Sequence, residues 1–228
     1  MATASAPADD HAAPGHHGPK WLQHHFATPL QQFESAKLGM WLFLAQEVLF
    51  FSGLFVAYGL FRIAYPEAFA TGSMQLDRIM GGLNTVVLLF SSLTAALAVR
   101  SAQLGERQRT SQFLYVTIAC AFAFLIIKYF EYSAKFEHGL LPGTHWAPHL
   151  HGPLLPGNTH IFFGIYFMLT GLHGLHVIIG IGVLIWIAVR NNSGEFSKDY
   201  WTPVDLAALY WHLVDLIWIY LFPLLYLV

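Results

Sequence analysis

Five stretches of this chain, about 37–62, 78–100, 111–136, 160–189 and 204–228, are long and apolar enough to cross a bilayer. A hydrocarbon core of about 30 Å needs roughly 20 such residues as helix. Backbone groups in lipid must satisfy one another, and within a single segment only an α-helix does so. The fold class that follows is all-α, an integral membrane bundle of five transmembrane helices. Composition agrees: 56% of residues are hydrophobic and only 11% charged, where a soluble domain carries about a quarter. A formal net charge of −2 leaves no basic stripe for a nucleic-acid partner. The single cysteine, Cys120, excludes an internal disulfide, a Cys-ligated zinc site, an iron–sulfur cluster and a CxxCH haem attachment. Inside an apolar run it reads as a small buried hydrophobe.

Residues 1–36 form a polar tail rich in Ala, His and Pro, and 37–228 the five-span domain. The tail has no uninterrupted apolar core, so it reads as an irregular segment rather than a cleaved signal peptide. Lys20, Lys37, Arg100, Arg107, Arg109, Arg190 and Lys198 fall on one side of the spans; Arg62, Arg78 and Lys135 fall on the other. That asymmetry puts the N-terminus in the cytoplasm and the C-terminus outside. One long connection, 138–160, holds four prolines and four glycines, which forbid regular helix and suggest a packed surface loop. Its His138, His145, His149, His151 and His160 share no regular element that would set a metal geometry. The same holds for the pairs His16–His17 and His24–His25 in the tail.

Ionisable groups at mid-bilayer cost at least ~2.5 kcal/mol each and normally face the bundle interior. Gln46 and Glu47 lie in the first span, Lys128 and Glu131 in the third, His173 and His176 in the fourth, and His212 and Asp215 in the fifth. Residues three apart share a helix face, so each of the last three pairs is expected to point one way. Gly171 and Gly174 beside the histidines remove side-chain bulk and would let another backbone approach. Glu47, the span-four histidines and the span-five pair all sit near mid-span, where they could meet in one layer. A hydrogen bond from Glu47 to His173 or His176 would join the first span to the fourth. The leading reading of these groups is polar glue between helices, with a proton-linked or lipid-headgroup role behind it. Three imidazoles with Glu47 or Asp215 could also ligate one copper or zinc, although nothing in the spacing demands it. A haem would need axial ligands on opposite sides of its plane, and no such set is present.

The stretches 38-LGMWLFLAQEVLFF-51, 82-GLNTVVLLFSS-92, 128-KYFEYSAKFEHG-139, 163-FGIYFMLTGLHGLHVIIG-180 and 210-YWHLVDLIWIYLF-222 resemble subunit III of the haem–copper cytochrome oxidases, in order and through all five spans. Larger members of that family have seven spans, and this chain is similar to a shorter bacterial form that begins at the third. The resemblance implies a multi-pass protein of the bacterial inner membrane. It also implies a non-catalytic subunit of a respiratory oxidase, with no cofactor of its own and the haem and copper in partner subunits. Subunit III of this family packs on catalytic subunit I, stabilises it and supports its proton uptake. Subunit II, other subunits of the complex and membrane lipids, including bound phospholipid, are the remaining partners it implies.

By the same resemblance Glu47 corresponds to the carbodiimide-reactive carboxyl of the family. His173, His176, His212 and Asp215 fall on hallmark positions. The side of spans one and two bearing Trp41, Phe43, Phe50, Phe51, Gly39, Gly81, Gly82 and Ser91 would lie against subunit I. An accessory subunit of a nitric oxide reductase or quinol oxidase is the nearby alternative, and a membrane di-iron hydroxylase the distant one.

Overall fold

The computed structural model describes residues 21–143, 146 and 158–228. Among them are six α-helices and no strand: α1 (Pro29–Ala64), α2 (Pro66–Met74), α3 (Arg78–Gln103), α4 (Arg107–Glu137), α5 (Thr159–Asn192) and α6 (Thr202–Tyr226). All but α2 are long and apolar enough to cross a membrane. The chain is an all-α, multi-pass membrane bundle.

Helix ends follow local chemistry. The first helix starts at Pro29 rather than near residue 37, because Thr28 caps it by accepting from Gln31 N and Pro29 needs no N–H partner at the first position. The part of the tail from 29 to 36 is therefore helical, carried on polar residues that no apolar pattern marks. Asp77 caps α3 by accepting from Ile79 N and Met80 N. Gly105 and Gly194 stop the turns after α3 and α5 with φ of 75° and 83°, a conformation that favours glycine.

Consecutive long helices run antiparallel. One end of the bundle holds the start of α1, the α3–α4 turn and the α5–α6 turn. The other end, called the far end below, holds α2 and Tyr226. Helices α3, α4, α5 and α6 close into a four-helix ring, α3 on α4, α4 on α5, α5 on α6 and α6 back on α3, with α1 lying across α5 and α6. The most buried helix is α6, which carries Trp211, Trp218 and Tyr226, all at 0% exposure. Gly180 allows this packing. A Cβ there would come within 2.8 Å of the Trp211 ring. By contrast α1 is mostly exposed apolar surface, held by Lys37 on Asp205 (2.7 Å) at one end and by the Tyr58 hydroxyl donating to the Leu224 carbonyl at the other. Cys120 is half-buried rather than fully enclosed.

Candidate functional site

The buried polar residues separate into three places instead of one layer. In the first, Glu47 of α1 meets His176 of α5, with Nε2 and Oε2 3.0 Å apart. His176 Nδ1 lies 2.8 Å from the Leu172 carbonyl. A carbonyl only accepts, so Nδ1 carries a proton. Nε2 and Glu47 must then share one further proton, held on the carboxyl or on the ring. Phe51 packs its edge on the imidazole at 5.1 Å, and the Tyr210 hydroxyl donates to the His176 carbonyl. The arrangement can hold a proton between α1 and α5, shielded from lipid.

His173 does not join it. A spacing of three residues leaves about 60° between side chains on an α-helix, and that angle turns His173 away from α1. Its ring sits between Phe124 (5.4 Å) and Trp218 (5.2 Å), fully buried, and among the described residues neither ring nitrogen has a hydrogen-bond partner. The expectation that the two histidines point one way is corrected here: His176 serves α1, and His173 faces α4 and α6. Gly171 and Gly174 also differ from expectation. No backbone approaches them. A Cβ at Gly174 would meet nothing within 4 Å and one at Gly171 only the Tyr132 hydroxyl at 3.9 Å, because both border an open groove between α4 and α5.

The second place lies nearer the far end of the bundle. Lys128 Nζ donates to Glu131 Oε2 (2.9 Å), to the Tyr226 hydroxyl (2.9 Å) and to the Tyr166 hydroxyl (3.2 Å). Those two hydroxyls donate in turn to Glu131 Oε1, at 2.6 and 2.9 Å. The rings of Tyr132, Tyr166, Trp218 and Tyr226 surround the ammonium at 5.1–5.6 Å. Lysine, carboxylate and hydroxyls thus satisfy one another and tie α4, α5 and α6 together. One turn beyond, Lys135 donates to the Gln75 carbonyl at the end of α2. The tyrosines were not singled out from the sequence, and Lys135 was counted only as a charge at the end of a span, whereas it is buried. Lys135 was legible, since 128, 131 and 135 fall on one helical stripe. Tyr166 and Tyr226 come from other helices, and no local spacing announces them.

The third place is the seam of α3 and α6. His212 Nδ1 lies 2.7 Å from Ser92 Oγ, and Trp211 Nε1 donates to Ser91 Oγ at 3.0 Å. Asp215 is buried beside Ser91 and Ser92, yet among the described residues neither carboxyl oxygen meets hydrogen-bond geometry.

Among the described residues no group of three or more His, Cys, Asp or Glu side chains converges as a metal site would require. His138 Nδ1 instead caps its own helix on the Ala134 carbonyl, His24 and His25 pack edge to face, and His160 lies beside Trp146. His16, His17, His145, His149 and His151 lie outside the described residues. Of the face assigned to a partner, Trp41 and Phe50 are exposed, but Phe51 and Ser91 are buried and Gly81 lies under Phe222 and Tyr226. Those three are internal packing positions.

The chain matches the family described as Cytochrome c oxidase subunit III over residues 23–138 and 158–228. Similar proteins include cytochrome c oxidase subunit 3 of Synechocystis sp., 30% identical over 205 residues that cover 90% of this chain and 78% of the relative. That of Latimeria chalumnae is 33% identical over 211 residues (90% and 73%), and that of Papio hamadryas 34% over 210 (90% and 73%). With matches through every membrane-spanning helix and the buried polar residues between them, the chain belongs to the cytochrome c oxidase subunit III family.

Proposed function

We propose that this chain is the non-catalytic subunit III of a respiratory haem–copper oxidase that reduces oxygen to water, and that it stabilises catalytic subunit I and supports its proton uptake. The family match through all five spans carries the reading. The placing of the mid-membrane histidines supports it: they sit apart, His176 on Leu172 and Glu47, His212 on Ser92 and His173 between Phe124 and Trp218. Haem and copper then belong to partner subunits. Family membership also displaces the hydroxylase alternative.

The Lys/Arg asymmetry supports an N-terminus in the cytoplasm and a C-terminus outside. Glu47 and His176, sharing a proton between α1 and α5, are the groups through which proton uptake would be linked to this subunit. Lys128, Glu131, His173, His212 and Asp215 hold the helices in register around them. A cleft of about 470 Å³ between α1, α5 and α6, apolar but for Arg190 and tyrosine hydroxyls, suits the chain of a bound phospholipid with its headgroup at Arg190.

The experiment is to remove this chain from the purified oxidase and follow oxygen consumption over many turnovers. Subunit-depleted enzyme should start near the intact rate and then inactivate several-fold faster. Identical turnover lifetimes would contradict the stabilising role.

A further inference from the structure

We infer that the seam of α3 and α6 is where a transmembrane helix of another oxidase subunit docks, and that His212 offers that helix a hydrogen bond at mid-membrane. The inference rests on the assignment to an oxidase complex, which supplies the neighbouring membrane chain.

His212 differs from the other mid-span ionisable side chains. Glu47, Lys128, Glu131, His173, His176 and Asp215 are all buried within the bundle. His212 is only half-buried and lies on the one stripe of α6 that the bundle leaves uncovered, one turn from exposed Leu216. Across the seam Ser92 holds its Nδ1, and Leu89, one turn before Ser92, is exposed. Among the described residues the Ser92 contact is the ring's only hydrogen bond, so Nε2 remains to be satisfied. If Ser92 donates to Nδ1, Nε2 carries a proton and donates. In the reverse case Nε2 accepts.

Depth decides what the partner is. At 1.5 Å per residue His212 sits about 15 Å from the Thr202 end of α6 and about 21 Å from the Tyr226 end. That is the middle of a hydrocarbon core about 30 Å thick, beyond reach of a lipid headgroup, and acyl chains offer no hydrogen bond. Intramembrane ionisable groups face a bundle interior or a polar partner. The occupant is therefore protein: a helix whose hydroxyl, amide or carboxyl meets Nε2, with its apolar flanks on Leu89 and Leu216. Asp215, one turn along with both carboxyl oxygens short of hydrogen bonds, gives the seam a second polar group.

The test uses the intact complex purified through a tag on this chain. A photo-crosslinking residue is placed at Leu216 on the seam or at Leu175, exposed on α5 beside the α4–α5 groove. Leu216 should crosslink to another oxidase subunit with at least tenfold the yield of Leu175. Separately, His212→Leu should cut retention of that subunit in stringent detergent several-fold, and His212→Gln should restore most of it. Oxidase subunits present, with Leu216 giving only lipid adducts, would overturn this inference alone; so would full retention in His212→Leu. If no oxidase subunit accompanies the chain, the complex assignment falls and the inference with it. The crosslink at Leu216 is read in a chain whose His212 is intact, so a misfolded variant cannot produce the negative result.

Discussion

Replacing Lys128 by Met keeps most of the length of the side chain and removes its charge. Glu131, 2% exposed, then loses the one cation within hydrogen-bond distance of its carboxylate among the described residues, while Tyr166 and Tyr226 can still donate to it. Removing one partner of a buried ion pair costs about 3–5 kcal/mol. A lost hydrogen bond between membrane helices averages only about 0.6 kcal/mol, so the orphaned charge dominates. Lys128→Met should therefore destabilise the bundle by about 3 kcal/mol or more, and Glu131→Leu by a similar amount.

The double variant removes both charges. Exchanging a buried pair for apolar residues is often close to neutral, leaving two tyrosine hydroxyls to find other acceptors. It should be no worse than either single change, a coupling of about 3 kcal/mol. SDS titration of the purified chain in mixed micelles, followed by circular dichroism, measures all four states. Additive effects, or a Lys128→Met loss below about 1 kcal/mol, would refute the claim that the network is held by its ion pair.

The same titration separates the two histidines: Glu47→Ala and His176→Ala should each cost about 1–3 kcal/mol and together less than their sum, while Glu47→Ala with His173→Ala should add. Additivity with both histidines would rule out the Glu47–His176 bond. Gly180→Ala drives a methyl into the Trp211 ring and should cost about 1–3 kcal/mol, whereas Gly174→Ala, with open space, should be neutral or stabilising by about 0.4–1 kcal/mol; equal effects would contradict the packing described. Tags before residue 1 should be reached only from the cytoplasm and tags after Val228 only from outside, and finding both ends on one side would break the five-span arrangement.

What the sequence disclosed depended on whether the signal was local. Five apolar runs announce five crossing helices because length against bilayer thickness needs no knowledge of neighbours. The start of α1 escaped because its first two turns are polar and are specified by Thr28 and Pro29 rather than by hydropathy. Nine-residue α2 escaped because it is too short and mixed to show a period. Lys128 and Glu131 were visible as a pair, since three residues on a helix bring them together. The tyrosines that complete their network arrive from α5 and α6 and become partners only on folding. His173 and His176 show the limit of spacing itself: 60° is close enough to call one face and wide enough to reach different helices. Gly171 and Gly174 resemble packing glycines by type, but only the geometry reveals that no helix among the described residues packs closely on them. Among the described residues Gly72, Gly81 and Gly180 are the glycines that lie under aromatic rings, and of these only Gly81 was named from the sequence, for an outer face.

The central claim is that this chain serves an oxidase without carrying its redox centres, and one preparation tests it. The tagged chain is purified in mild detergent, its haem, copper and co-purifying proteins are measured, and the chain is then separated and measured again. The first fraction should hold haem absorbance, copper and the catalytic subunit. The separated chain should show no Soret band and no stoichiometric copper or iron. One equivalent of a transition metal or haem remaining on the separated chain, or a first fraction without any haem-bearing subunit, would contradict it.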